Sequence, residues 1–157
     1  MDTIIRKAKK EELKLIQELN SQLFLHDKKY DPFLDMNWSF GKPGEDYFND
    51  KISGKKGVCF VAEVGGEIVG YLAGGVKKPF KYRTIKKTSE LENTLIKDGF
   101  RGQGIGEKLF QAFAEWSKSQ GAERIKVSAS AGNLLAIRFY EKVGFVPYAV
   151  ELEYEIK

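Results

Sequence analysis

Three glycines at alternate positions constrain this chain more than any other feature. Gly102, Gly104 and Gly106 follow Arg101 and precede a helix-like run that begins near Ile105. Because glycine adopts positive φ cheaply and carries no Cβ, such a segment is either a plain turn or a loop whose amides contact a ligand. A strand-like segment precedes it, and the first turn of a following helix presents free N–H groups and a partial positive charge. The stretch therefore predicts a turn or a site for a phosphate-bearing anion.

The spacing departs from the two common glycine-rich phosphate loops. A P-loop requires Gly-x-x-x-x-Gly followed by Lys and Ser or Thr, and that Lys-Ser/Thr pair is missing here. A dinucleotide fingerprint requires Gly-x-Gly-x-x-Gly early in a parallel βαβ unit. Here the pattern is Gly-x-Gly-x-Gly, and three antiparallel strands are predicted before it. The loop is therefore of a different kind.

Composition indicates one soluble globular domain over residues 1–157. The chain is 42% hydrophobic and 31% charged. No apolar run approaches the roughly 20 residues of a membrane span, and the charged N-terminus lacks the apolar region of a signal peptide, so a cytoplasmic location is expected. The net charge of +4 suits a phosphate-bearing ligand as well as nucleic acid and decides little alone.

Metal and thiol chemistry are not expected. Cys59 and His26 are the only residues of their types, whereas zinc sites usually take four ligands rich in both. Cys59 lies in the apolar run VCFVAEV and is interpreted as a small core residue, because no histidine is at hand to activate it. His26 follows an apolar run at a predicted helix end, where a cap or surface role is expected.

Hydrophobic periodicity predicts the order of the elements. A short strand and an amphipathic helix come first, followed by a long loop and a short helix. Three strands then form an antiparallel meander, in which Gly65 and Gly66 supply a tight hairpin turn. Helices and strands alternate thereafter, and Gly121 and Gly144 end the two helices. The predicted strands are 3–8, 57–64, 67–76, 88–96, 123–130 and 145–156, and the helices begin near 11, 44, 105 and 133.

The last predicted strand, FVPYAVELEYEI, alternates with strand period from Tyr148 on, with a break at Pro147 left open. The predicted fold class is therefore α/β of the α+β type. It is a single mixed, mostly antiparallel sheet flanked by helices, in the order β-α-α-β-β-β-α-β-α-β(β).

Two motifs resemble the signatures of one protein family. Arg101–Gly106 resembles the Arg/Gln-x-x-Gly-x-Gly/Ala signature of the GNAT superfamily of N-acetyltransferases. Asn133–Phe145 resembles that family's Asn-x-x-Ala-x-x-Phe-Tyr-x-x-x-Gly-Phe signature. The stretch LENTLIKDGFRGQGIGEKL is similar to the family's fourth strand, its loop and the start of its third helix. The motifs come in the family's order with one predicted strand between them, and the predicted element order matches over nearly the whole chain.

The resemblance implies acetyl-CoA as cosubstrate and a primary amine as acceptor. By position, backbone amides from Gln103 to Gly106 would hold the CoA pyrophosphate, with Arg101 beside them. Main-chain groups of Leu95 and Ile96 would pair with the pantetheine arm as an added strand does, and Asn133 would contact the same arm. The implied cofactor-binding residues are Leu95, Ile96, Arg101, Gly102, Gln103, Gly104, Ile105, Gly106, Asn133 and Tyr140.

The resemblance also places Tyr140 near the thioester sulfur. The attacking amine must lose a proton and the leaving thiolate benefits from one, and a positioned acid or base typically contributes about 10²–10⁴-fold. Tyr140 suits the acid role, although an aromatic filling the core is the alternative. Glu92, nine residues before Arg101 on the fourth strand, is the candidate base. Glu90, an ordered water and bulk solvent are the alternatives.

The long loop after the first predicted helix, residues 26–48, is expected to help line the acceptor site; it is called here the acidic–aromatic loop. Carboxylates with aromatic faces favour a cationic amine on a small molecule or protein; the alternative is an acidic surface loop. The carboxylates are Asp27, Asp31, Asp35, Glu45 and Asp46, and the aromatics include Tyr30, Phe33, Trp38, Phe40 and Tyr47.

Other partners and functions are weighed against this interpretation. The basic run from Lys77 to Lys87 fits a solvated hairpin loop, with an acidic acceptor or nucleic acid as the sharper alternative; neither a nucleic acid nor a membrane is expected as a partner. The alternative function is a non-catalytic CoA-binding sensor or scaffold, and a nucleotide-phosphate binder is a third. Tyr140 and Glu92 favour the enzyme, because a pure binder needs neither acid nor base. The sequence leaves a homodimer, the acyl chain length and the amine open.

Overall fold

Five strands form one sheet, arranged in the order in which they occur along the chain. The computed structural model describes residues 2–157. The strands are β1 (Thr3–Lys7), β2 (Val58–Val64), β3 (Glu67–Lys77), β4 (Thr88–Ile96) and β5 (Arg124–Val127). Neighbours are antiparallel from β1 to β4, and β5 lies parallel to β4. The helices are α1 (Leu13–Asp27), α2 (Lys42–Ser53), α3 (Ile105–Ser119) and α4 (Leu134–Lys142).

Helices cover both faces of the sheet and enclose two cores. The side chains of Ile16, Phe48 and Tyr71 lie in the core on the α1 and α2 side. Leu109 and Phe113 of α3 lie in the core on the other side. A sheet covered on both faces needs strands that are apolar almost throughout, which is the character of β2 and β3. The predicted single mixed sheet flanked by helices is confirmed.

Local predictions from glycine and cysteine are also confirmed. Gly65 and Gly66 have φ of 57° and 82° in the turn between β2 and β3, which is the left-handed region that glycine enters cheaply. Cys59 is 1% exposed within the core, and burial raises the pKa of its thiol. Among residues 2–157, none of the helices combines the length and apolar character needed to cross a bilayer.

The closing strand predicted over residues 145–156 is wrong. Residues 145–157 form neither helix nor strand, and Leu152 is 91% exposed. Alternation of apolar and polar residues specifies which side chains share a face, but a strand also needs a neighbouring edge to pair with. Within residues 2–157 this segment pairs with no edge. Residues 146–156 are called here the C-terminal tail.

Candidate functional site

The pairing between β4 and β5 ends halfway along β4. They pair in parallel register only over Thr88–Leu91. A bulge follows, in which Glu92 is skipped in the pairing with β3. Over residues 92–96, β4 pairs with no described residue on its β5 side. This free edge can accept an extended ligand in the way that a sheet edge accepts a peptide.

An eight-residue loop, residues 97–104, joins this free edge to the start of α3. Gly102 and Gly104 have φ of 74° and 78°, and Gly104 is the N-cap of α3. The N–H of Lys108 donates to the carbonyl of Gly104 at 3.1 Å. The N–H groups of residues 105–107 come before this bond, so the helix offers them no acceptor. Together with the helix dipole they can bind an anion. The free edge of β4 and these N–H groups are called here the cradle.

Glycine is required at the three positions of the loop for two different structural reasons. A Cβ built on Gly102 or Gly104 would meet nothing within 4 Å, so these residues are required by their positive φ and leave open space for a bulky anion. A Cβ on Gly106 would lie 3.1 Å from the ring of Phe139. Gly106 therefore permits α4 to pack closely against the first turn of α3.

Arg101 and Gln103 fold back onto the loop that joins β4 to α3. The Arg101 Nε donates to the carbonyl of Ile96 at 2.9 Å, and its guanidinium lies 3.1 Å from the Asp98 carboxylate. The Gln103 amide donates to the carbonyl of Gly99 at 3.1 Å. These contacts are exposed and therefore weak. Arg101 lies at the cradle, with its side chain occupied by the chain itself.

Leu95 and Ile96 form the end of β4 that borders the cradle. Leu95 lies opposite Tyr71 on β3, and Ile96 lies opposite Gly70. The side chain of Leu95 is buried in the α1 and α2 side core, whereas Ile96 packs against the α3 side core. The side chains of Leu95 and Ile96 are thus used by the two cores, and the backbone edge on the β3 side is used by the sheet. Only the opposite backbone edge is available to a ligand.

Asn133 begins α4, and Tyr30 lies close to the residue that precedes it. Asn133 is the N-cap of α4, and its Oδ1 accepts from the N–H of Ala136 at 3.2 Å. This cap leaves the side-chain NH₂ as a donor. A Cβ on the preceding Gly132 would lie 3.4 Å from the Tyr30 ring. The acidic–aromatic loop therefore packs over the turn that leads into α4.

Tyr140 lies in α4 between two aromatic rings. Its ring centroid is 5.4 Å from that of Phe139 and 5.6 Å from that of Phe145. Burial raises the pKa of Tyr140 to about 12, and the negative charge of Asp27 adds to the rise. The hydroxyl is therefore protonated at neutral pH, which is the form that can donate a proton.

Glu92 is held by two lysines. Its Oε2 lies 2.5 Å from the Lys51 Nζ and its Oε1 lies 3.3 Å from the Lys77 Nζ. Lys51 is 5% exposed, and its ammonium also donates to the carbonyl of Lys56 at 2.8 Å. The same ammonium lies 5.1 Å from the centre of the Tyr47 ring. Glu92, Lys51 and Lys77 are called here the Glu92 cluster. Both oxygens of the carboxylate are engaged by cations, so an incoming ammonium must compete for them.

Glu90, the alternative base, is also near a cation. Its carboxylate lies 3.9 Å from the Lys126 Nζ on β5. The separation is at the outer limit of an ion pair, and the lysine is exposed, so the contact is weak. Neither candidate carboxylate stands alone in the structure.

A cavity of about 610 Å³ opens beside the Glu92 cluster. It extends to Trp116 and Gln120 at the C-terminal end of α3. α3 has 15 residues, so it is about 22 Å long at 1.5 Å per residue. The cavity therefore lies towards the end of α3 opposite the glycine loop. Four lysines line it against two acidic residues; the charged lining residues are Asp50, Lys51, Lys55, Lys56, Lys77 and Glu92.

The acidic–aromatic loop uses several of its carboxylates to shape itself. The Asp31 carboxylate accepts from the N–H of Phe33 at 3.1 Å, and the Asp35 carboxylate accepts from the N–H of Asn37 at 3.0 Å. These are Asx turns. Trp38 packs against the α1 and α2 side core. Part of the pattern that predicts acceptor recognition thus holds the loop in place.

Two residues that sequence reasoning missed lie next to Glu92. Asn93 donates to the Tyr47 hydroxyl at 2.9 Å, while its Oδ1 is buried without a partner in the described part of the chain. Lys51 is the buried partner of Glu92. The available signal for Lys51 was its spacing of three from Phe48, which places both on the buried face of α2. For Asn93 the signal appears only once the bulge is known.

Within residues 2–157, no group of three or more His, Cys, Asp or Glu side chains is arranged to hold a metal ion.

A family model described as the acetyltransferase (GNAT) family matches residues 21–145. An uncharacterized N-acetyltransferase of Archaeoglobus fulgidus is 27% identical over 136 residues, which cover 87% of this chain and 88% of that protein.

Other matches are shorter or more distant. The uncharacterized N-acetyltransferase YobR of Bacillus subtilis is 37% identical over 67 residues, which cover 43% of this chain and 27% of that protein. The chain spans between 27% and 56% of the length of the first curated relatives that it matches. The solved structure of AAC(6')-Iy in complex with the bisubstrate analogue CoA-S-monomethyl-acetylneamine has a TM-score of 0.79. It covers 100% of this chain and 99% of that chain at 16% identity, which is a likeness of fold.

Proposed function

The chain belongs to the GNAT family of acetyltransferases, and from this premise we propose that it transfers the acetyl group of acetyl-CoA directly to a primary amine. One observation carries the proposal: a single eight-residue loop joins the free edge of β4 to the first N–H groups of α3, and Ile96 and Ile105 on either side of it pack in the same core. An extended pantetheine arm suits the edge, and a pyrophosphate suits the N–H groups. CoA joins these two chemical parts in one molecule.

The cofactor-binding roles follow from the cradle. The N–H groups from Gln103 to Gly106 would contact the pyrophosphate, and Arg101 would exchange its weak contact with Asp98 for a phosphate oxygen. Backbone groups of Leu95 and Ile96 that face β5 would pair with the pantetheine arm, after Arg101 releases the Ile96 carbonyl.

The transfer itself forms one bond and breaks another. The amine nitrogen attacks the acetyl carbonyl carbon, a C–N bond forms, and the C–S bond to CoA breaks. Tyr140 would donate its hydroxyl proton to the leaving thiolate, and its neutral state at pH 7 supports that role. The ammonium loses one proton before it attacks, and the nitrogen loses a second as the amide forms. One of these two protons balances the one that Tyr140 must regain, and the other leaves to solvent.

Glu92 remains the proposed first acceptor of the ammonium proton. Its pairing with Lys51 and Lys77 means that the substrate must enter a site already shared by two cations. Glu90, an ordered water and bulk solvent are the alternatives. Replacing Glu92 with Gln separates Glu92 from Glu90 and from bulk solvent, because only a role of the Glu92 carboxylate, directly or through an ordered water, predicts a fall in kcat at neutral pH.

The acceptor is proposed to be a primary amine of a small molecule or a protein. The acidic–aromatic loop supports a cationic acceptor, since Tyr30 packs against the turn before Asn133 and the Asp27 charge acts on Tyr140. The experiment is an amine-panel assay that follows free CoA release from acetyl-CoA. Release that depends on an amine supports the proposal, and binding of acetyl-CoA without release on any amine contradicts it.

The Glu92 cluster gives one observation in favour of a second function. A carboxylate held by two lysines is what a non-catalytic CoA-binding sensor or scaffold could retain, because such a protein needs no free base. Calorimetry separates the acetyltransferase and the CoA-binding sensor from a general phosphate binder, because both of the first two predict binding of acetyl-CoA in preference to ATP. Only the acetyltransferase also predicts turnover that depends on an amine.

A further inference from the structure

The cavity beside the Glu92 cluster carries more positive than negative charge. Four lysines line it against the carboxylates of Asp50 and Glu92, so positive charge is left over. The ion pairs within residues 2–157 give Lys55 no carboxylate partner, and Lys56 lies 3.6 Å from Asp50 with its side chain 69% exposed. A concave surface lined mostly by one sign of charge concentrates ligands of the opposite sign. The cavity therefore favours an anionic group.

The dipole of α2 accounts for only one of these lysines. Lys51 lies in the last turn of α2, where a basic side chain complements the negative end of the helix. Lys55 and Lys56 come after Gly54, the C-cap of α2, and Lys77 is the last residue of β3. The dipole effect is confined to the last turn. The other three lysines need a different explanation.

Two glycines make room for the buried ammonium of Lys51. A Cβ on Gly57 would lie 3.0 Å from the Lys51 Cδ, and a Cβ on Gly75 would lie 2.9 Å from the Lys51 Nζ. That ammonium contacts both the Glu92 carboxylate and the carbonyl of Lys56. It therefore joins the proposed base to the segment that follows α2. Because a buried ion pair adds little stability over an apolar substitute, the arrangement points to function.

An acceptor amine would reach Glu92 as a third cation. Lys51 and Lys77 already contact the carboxylate of Glu92, so an ammonium alone adds like charge to the cluster. An acceptor that also carries an anionic group brings the charge that the cavity lacks. Its ammonium can approach Glu92 while its anionic group lies against Lys55 and Lys56, which line the same cavity.

We propose that the acceptor carries both charges. Its primary amine is acetylated beside Glu92, and an anionic group of the same molecule, a carboxylate or a phosphate, binds Lys55 and Lys56. Two ammonium groups can donate charge-assisted hydrogen bonds to such a group. The inference rests on the proposed function and names what the acceptor carries besides its amine. The acidic–aromatic loop would attract the ammonium, and the lysines would hold the anion.

Matched acceptors test the proposal through CoA release from acetyl-CoA. L-Amino acids and β-alanine are compared with their carboxamides, and phosphoethanolamine is compared with ethanolamine, so the two arms distinguish a carboxylate from a phosphate. In one arm the anionic member should have a kcat/KM about tenfold higher or more, as charge-assisted hydrogen bonds provide. The double variant Lys55→Gln with Lys56→Gln should lose most of that preference.

A second double variant, Lys78→Gln with Lys81→Gln, is the matched control. It removes the same charge from two exposed lysines of the loop between β3 and β4 that do not line the cavity, and it should keep the preference. Equal kcat/KM values within every pair of acceptors would overturn the inference and leave the proposed function intact. A preference that survives Lys55→Gln with Lys56→Gln would also overturn it.

Anion titration decides the matter without turnover. If no acceptor released CoA, the proposed function would fail, and binding alone would test the cavity. Backbone amide NMR shifts of residues 54–57 are followed as inorganic phosphate, and separately acetate, is added. One of the two anions should give a saturable shift that is lost in Lys55→Gln with Lys56→Gln and kept in the control.

The same spectra show whether each variant is folded, and Lys55→Gln alone replaces a double variant that is not. No saturable shift at residues 54–57 with either anion, or a shift that survives loss of the lysines, would overturn the inference.

Discussion

The cradle and the Glu92 cluster each use part of β4 and are built in opposite ways. The cradle consists of backbone groups on an open edge and an exposed loop, with side chains that make only weak contacts. The Glu92 cluster consists of side chains locked by ion pairs, one of them with the buried Lys51. The difference teaches that backbone groups alone can bind a ligand that is always the same, such as CoA. Proton transfer instead depends on side chains, and here the charge of the proposed base already has partners.

The largest effect is expected from Tyr140→Phe. If Tyr140 supplies the proton for the thiolate, the phenyl ring keeps the packing against Phe139 and Phe145 and loses only the proton. The rate of CoA release should fall about 10²–10⁴-fold, while the Kd for CoA measured by calorimetry stays the same. Tyr82→Phe, at a tyrosine that is 81% exposed in the loop between β3 and β4, is the control and should change neither quantity. An unchanged rate in Tyr140→Phe would remove this residue from the mechanism.

The Glu92 cluster is tested next through its two lysines. Lys51→Met leaves a half-buried carboxylate without its buried partner, and breaking such a pair costs about 3–5 kcal/mol. Lys77→Met removes the exposed partner at 3.3 Å, and the cost should be about 1 kcal/mol or less. Denaturant unfolding measures both free energies. Equal losses in the two variants would show that the two ion pairs do not differ in burial as described.

A smaller effect is expected at the cradle, with a matched control. Gly104→Ala and Gly66→Ala both place a Cβ at a φ near 80° in open space, so each should lose about 1–2 kcal/mol of folding free energy. Only Gly104→Ala displaces the amides that face the anion site, and a similar energy corresponds to roughly tenfold weaker CoA binding. Equal CoA affinity in the two variants would argue that the loop path does not matter for the cofactor.

The smallest effect is expected in the acidic–aromatic loop. Asp31→Asn with Asp35→Asn keeps the side-chain oxygens that accept from Phe33 and Asn37, so the Asx turns survive while two charges are lost. The KM for a cationic amine should rise roughly two- to fivefold, as for exposed charges. Asp46→Asn, whose carboxylate already pairs with Lys42 at 2.7 Å, is the control. A KM that does not move would assign these carboxylates to loop structure alone.

The parts of the fold that the sequence predicts best are those in which local chemistry decides. β4 was predicted with its observed bounds, and the hairpin at Gly65 and Gly66 follows from the φ that glycine permits. The C-terminal tail shows the limit: its alternation is real, but whether a strand forms depends on an edge that local sequence does not report.

The candidate site also contains features that the local sequence predicts and features that it does not. The glycines of the loop could be placed at the start of α3, because a helix N-cap and positive φ are local properties. The partners of Glu92 could not, since Lys51 is 41 residues away and meets it across two elements. The bulge at Glu92 was also hidden, because a strand pattern does not show where the pairing partner skips a residue.

Amide hydrogen exchange with and without CoA tests the central claim most directly, because it reports backbone groups one by one. The account predicts that CoA slows exchange at residues 94–96 and 103–107 and leaves residues 54–57, which border the cavity beside the Glu92 cluster, unchanged. Protection that appears around that cavity and is missing from the cradle would contradict the account.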